Sequence, residues 1–125
     1  MQVRRMRNAD TPAVYAMIQA VDLPRELFVK DDRATVQRQV PYSYVAEVNG
    51  KVVGALLIQA HLIDTVVSWH KGAATAMIQK LSGKYVTFVA EGNTRSRNMF
   101  ERNGFKAVGK LQMYGEERMM YEGVL

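Results

Sequence analysis

The sequence predicts one mixed α/β domain with a largely antiparallel front half. Its 125 residues suit a single compact domain and leave no room for two ordinary ones. Strand-like residues fill 43–68, broken at Asn49-Gly50, the dipeptide that most favours a two-residue hairpin. Behind them, two stretches with apolar residues at helical spacing each lead into a strand-like run.

Val3 to Arg7 reads as a short first strand. Thr11 followed by Pro12 is a helix start, a hydroxyl cap with proline at the first helical position. Val14, Met17, Ile18 and Val21 then share one face, and Pro24 stops the helix. Asp31 and Asp32 are candidate caps of a second short helix running to Val40 and ended by Pro41. Ser43 to Val48 and Lys51 to Gln59 form the hairpin, and His61 to Ser68 is a third strand rich in β-branched residues.

Lys71-Gly72 opens a helix with Ala74, Met77, Ile78 and Leu81 on its apolar face, closed by Gly83. Residues 85–90 make a strand with Val86, Phe88 and Ala90 on one face and Tyr85, Thr87 and Val89 on the other. Thr94 to Asn103 is a helix capped by Asn93 or Thr94 and closed by Gly104. Strands near 105–113 and 118–124, joined through Gly115, finish the chain.

Composition narrows the chemistry. Cysteine is absent, which removes disulfides, thiolate metal ligands and a cysteine nucleophile. With only two histidines besides, no metal site is expected. The longest apolar run, Val52 to Ile58, is too short to cross a bilayer, and the basic start lacks the apolar stretch of a signal peptide. A reducing cytoplasm is the expected compartment. The net charge of +5 suits an anionic partner, and nucleic acid, a membrane surface and a phosphorylated cofactor all qualify. The basic residues are scattered, with no single basic helix, so nucleic acid ranks last.

Two segments carry candidate chemistry. In Lys71-Gly72-Ala73-Ala74-Thr75, small residues at a helix start let a phosphate approach backbone N–H groups, with Lys71 adding charge and Thr75 a hydroxyl. Plain helix packing explains the same residues. In the second segment, Arg95, Arg97 and Arg102 either form a solvated face or hold phosphates.

Together these segments resemble the signature of the GNAT superfamily of acetyl-CoA-dependent N-acetyltransferases. Lys71-Gly72-Ala73-Ala74 fits the last four positions of its phosphate-loop pattern, Gln/Arg-x-x-Gly-x-Gly/Ala. Asn93, Ser96, Phe100 and Gly104-Phe105 fit the spacing of its second motif, and Ala46 to Gly54 resembles its second hairpin. The order of elements agrees from end to end. The resemblance implies a mostly antiparallel central sheet splayed between the fourth and fifth strands, with about four helices. It implies acetyl-CoA as co-substrate in that splay, here between 63–68 and 85–90. Backbone at Val66, Val67 and Ser68 would meet the pantetheine arm, residues 71–75 the pyrophosphate, and Asn93, Ser96 and Arg97 other parts of the cofactor. The region around 25–40 often covers the acceptor in that family.

Two positions depart from the pattern. Trp69 stands where the phosphate loop has Gln or Arg, and Phe100 where many members have a tyrosine that protonates the departing thiolate. Tyr114 is the candidate replacement acid, with Tyr44, Ser96 or water as others. Candidate bases for the amine are Asp64, His61 and Glu91, and each also has an ordinary surface reading. The leading expectation is direct acetyl transfer to an unspecified primary amine. A silent module that binds coenzyme A or a protein partner is the second. An edge strand at the C-terminus offers a place for two subunits to pair.

Overall fold

The computed structural model describes residues 1–125, folded as a seven-stranded sheet with helices on both faces. In chain order the elements are β1 Gln2–Arg5, α1 Thr11–Gln19, α2 Arg33–Gln39, β2 Tyr44–Val48, β3 Lys51–Gln59, β4 Leu62–Ser68, α3 Ala73–Ile78, β5 Lys84–Ala90, α4 Thr94–Arg102, β6 Lys106–Met113 and β7 Glu116–Val124. The strands lie in the order β1-β2-β3-β4-β5-β7-β6, and only the β4–β5 pair is parallel. The expected splayed, mostly antiparallel sheet with four α-helices is therefore present.

Turn chemistry sets the front half. Asn49 and Gly50 adopt φ of 51° and 78°, which matches the twist of the strands they join and pairs Val48 with Lys51. Along β3, alternation sends Leu56 and Ile58 to one face and Ala55 and Leu57 to the other. The first face is covered by α3 and α4 through Met77, Ile78 and Phe100, and the second by α1 and α2 through Val14, Ile18 and Val36. The expected alternation of 85–90 is also seen. Thr87 and Val89 oppose Tyr121 and Met119 on the α3–α4 face, while Phe88 and Ala90 oppose Met120 and Arg118 on the other.

Helix ends differ from the sequence expectation in three places. Thr11 is the first helical residue of α1 and not its cap, because a turn of 3-10 helix at Asn8–Asp10 precedes it. Val21 lies beyond the end of α1, yet still packs against that core. α3 stops at Ile78, since Gly83 exchanges both backbone hydrogen bonds with Leu125 and draws the chain out of the helix. Leu81 stays buried through the turn bond from its N–H to the Ile78 carbonyl.

β4 and β5 pair only at Leu62↔Val86 and Ile63↔Thr87. Beyond that point the Thr87 hydroxyl donates to the Ile63 carbonyl at 2.9 Å, and the strands part. On the other edge of β4, Leu57 faces Thr65 and Ile58 faces Ile63, so Asp64 is the extra residue of a β-bulge.

Candidate active site

The parting of β4 and β5 opens a cleft of about 120 Å³. Ile63 to Val66 form one wall and Thr87 to Ala90 the other, with Asn93, Ser96 and Phe100 beyond the end of β5. Leu27, Phe28 and Val29, from the connection between α1 and α2, cover it, and Tyr114 and Arg118 of the β6–β7 hairpin close the far side.

The bulge aims Asp64 toward α2, where Gln39 Nε2 donates to its carboxylate at 2.9 Å. Beside it, Asp31 accepts a hydrogen bond from the Thr65 hydroxyl at 2.7 Å. Burial is the main reason the Asp31 carboxyl is pushed up to about 6; the Asp64 charge adds to the rise and the Thr65 hydroxyl opposes it. Two carboxylates therefore converge on one wall of the cleft, one of them with a proton affinity close to neutral pH. Asp32, not Asp31, caps α2, its carboxylate accepting from the Thr35 N–H at 2.8 Å.

Of the residues singled out in the sequence, Asp64, Val66, Asn93, Ser96, Phe100 and Tyr114 line this cleft. Asn93 is already engaged at both side-chain atoms. Its oxygen accepts from the Ser96 N–H at 3.2 Å as the cap of α4, and its Nδ2 donates to the Leu27 carbonyl at 3.2 Å. Tyr114 sits in the β6–β7 turn with φ of 55°, its ring 5.6 Å from the Arg118 guanidinium.

The others lie outside it. His61 precedes β4 at the paired end, where its Nδ1 meets the Lys84 carbonyl at 3.0 Å. Glu91 is exposed and paired with Lys110 at 3.3 Å. Val67 is buried in the α1–α2 core, and the Ser68 hydroxyl donates to the His70 carbonyl at 2.8 Å. Arg97 donates to the Tyr121 hydroxyl at 3.0 Å and to the Glu91 carbonyl at 2.9 Å.

Lys71 and Gly72 are exposed at the start of α3 and Ala73 is buried. Gly72 has φ of 85° with open space around its α-carbon, so backbone conformation alone calls for glycine there. The Ala73 N–H is taken by the His70 carbonyl at 3.1 Å, and Thr75 Oγ1 accepts from Asn103 at 3.2 Å. Gly54 of β3 lets α3 approach closely, since a Cβ there would stand 3.2 Å from the Met77 methyl and 3.4 Å from the Ala73 Cβ. Trp69 is 56% exposed beside this loop. Phe100 is buried, packed edge-on against Phe105 at 5.2 Å between centroids.

Two charged residues of the cleft do not stand out as site residues in the sequence. Asp31 reads there only as a cap, although an Asp-Asp pair before one helix leaves a carboxylate over. Arg118 sits among the glutamates of its strand, Glu116, Glu117 and Glu122, so its charge does not stand out in the sequence, yet it is only 5% exposed.

No family model matches the sequence, and no curated protein matches it. Solved structures do. An acetyltransferase of the GNAT family from Bacillus cereus superposes with a TM-score of 0.79 at 14% identity, over 99% of this chain and 97% of that one. The ribosomal-protein-S18-alanine N-acetyltransferase from Escherichia coli gives 0.78 at 14% identity, over 98% and 92%. A Mycobacterium tuberculosis protein solved in complex with CoA and NLQ gives 0.73 at 19% identity, over 100% and 99%. Such identities carry architecture and not chemistry. The splayed sheet and these superpositions together show that the chain has the fold of the GNAT acetyltransferases.

Proposed function

We propose that the chain transfers an acetyl group from acetyl-CoA to a primary amine by direct attack. The observation that carries this reading is the convergence of Asp31 and Asp64 on the wall of a cleft opened where β4 and β5 part. An amine arrives as an ammonium ion, and a paired carboxylate both attracts it and takes its proton. The freed nitrogen attacks the thioester carbonyl carbon. A C–N bond forms, the nitrogen gives up its second proton to water, the C–S bond breaks, and coenzyme A leaves as a thiolate that gains a proton from Tyr114 or water. Backbone N–H groups freed where β4 leaves β5 stabilise the oxyanion of the tetrahedral intermediate.

The cofactor's pantetheine arm runs along Val66 to Ser68, with its pyrophosphate near residues 71–75. Asn93 supports it indirectly, by capping α4 and holding the Leu27 carbonyl. Titration with acetyl-CoA, followed by a free-thiol release assay over a panel of amines, tests the reading. Acetyl-CoA binding with amine-dependent thiol release supports it, and absence of acetyl-CoA binding removes it.

Phe100 favours a second reading, a module that binds coenzyme A without turnover. It is buried against Phe105 at the position where the family resemblance would put a proton donor. Tight acetyl-CoA binding with no thiol release from any amine would establish that module instead.

A further inference from the structure

Arg118 has no partner that explains its burial. It lies in the middle of β7, opposite Ala90 of β5 and Leu111 of β6, and lines the cleft. Its Nε and Nη2 are buried and make no hydrogen bond. No carboxylate stands within ion-pair distance of it, and its guanidinium lies 5.6 Å from the centroid of the Tyr114 ring. A guanidinium cannot shed its proton, so a buried one without a counter-ion is strongly disfavoured unless a ligand completes it.

Which ligand it completes follows from position. Met119 and Tyr121 of β7 belong to the α3–α4 core, so by alternation Arg118 points to the opposite face of the sheet. That is the face of Thr65, which opposes Leu57 of the α1–α2 core and bonds Asp31. The start of α3, where the donor's pyrophosphate is placed, lies on the other face. Arg118 thus shares the acceptor's side of the cleft with Asp31 and Asp64. A cationic group and a carboxylate pair facing one small space complement a molecule with both charges.

We infer that the amine acceptor is an amino carboxylate, its carboxylate held by Arg118 and its amine directed to the Asp31–Asp64 wall. The inference rests on the acetyl-transfer reading for the identity of the second ligand. The Arg118 fork suits a carboxylate through two parallel N–H···O bonds. The small side chain of Ala90 stands opposite it on β5. Leu27, Phe28 and Val29 close the space from water and strengthen the pairing.

The test uses the whole chain with CoA in excess. N-acetyl derivatives of α-, β- and γ-amino acids are titrated beside the matching amides, which lack only the negative charge. At least one acid should bind tenfold or more tightly than its amide. Arg118→Met should abolish that difference, and Arg118→Lys should keep part of it, with circular dichroism and thermal melts verifying that both variants fold. Equal binding of acids and amides overturns the inference, as does failure of every acid to bind or an undiminished preference in Arg118→Met. The two readings fail separately. Acid selectivity without acetyl-CoA binding keeps the carboxylate site and removes acetyl transfer. Thiol release that prefers amines lacking a carboxylate does the reverse.

Discussion

On the acetyl-transfer reading, Asp31 is the carboxylate that takes the amine's proton. Because its proton affinity is raised to about 6, the basic form dominates only above that pH, and acetyl transfer should rise through about 6 to a plateau. Asp31→Asn should lower kcat about 100-fold and remove that limb of the pH profile. The same residue should cost stability. A carboxyl whose proton is held more tightly in the folded state than in the unfolded one destabilises the fold as pH rises from its ordinary value, 3.8, to about 6. At neutral pH Asp31→Asn should therefore be more stable than the parent, by roughly 1 kcal/mol once solvent screening is allowed for. Thermal melts at pH 4 and pH 7 verify this, the gain being confined to the higher pH. Neither Asp31 nor Arg118 was legible as a site residue in the sequence. Each acquires its role from a neighbour far along the chain, Thr65 for one and the Ala90 register for the other, and no local pattern encodes such pairings.

At the scale of elements, local signals were readable and covering segments were not. Asn49-Gly50 set a hairpin because two adjacent residues alone determine a two-residue turn. The cap of α4 was legible as Asn93 or Thr94 for the same reason, and it is Asn93. Its second bond, to the Leu27 carbonyl, was not, since residues 20–32 carry neither helical nor strand periodicity. Asn93→Ala should lose about 1 kcal/mol from the cap, read by urea unfolding. It should also release the cover over the cleft, so acceptor KM should rise more than kcat falls. At β7, Gly123→Ala would drive a Cβ to 2.9 Å from three atoms of the Phe105 ring. Overpacking of that kind should cost about 1–3 kcal/mol in the same assay.

Across the whole molecule, the order of elements is read from the residues themselves, while the parting of the fourth and fifth strands is expected from the family resemblance alone. Seven strands could be placed along the chain because alternation and turn residues are local. That the sheet narrows to two residue pairs between β4 and β5 depends on a bulge and a hydroxyl bond that arise only in three dimensions. No helix is long and apolar enough to cross a membrane. A donor lying between the parted strands contacts both halves of the sheet, so it should stabilise the folded state as a whole. At a hundred times its Kd, acetyl-CoA should add about 2.7 kcal/mol. For a chain of this length that corresponds to a rise in Tm of about 10 °C, measurable by a dye-based melt.

The narrow joint between β4 and β5 also separates the chain as text. Residues 1–68 build β1 to β4 and residues 84–125 build β5 to β7, with no strand exchanged between the groups. A break in the backbone near the exposed Ser82-Gly83 turn would leave each piece with its own antiparallel ladders intact. The protein would then exist as two fragments that find each other through the cores flanking the cleft, and their reunion would be reported by whatever the cleft binds.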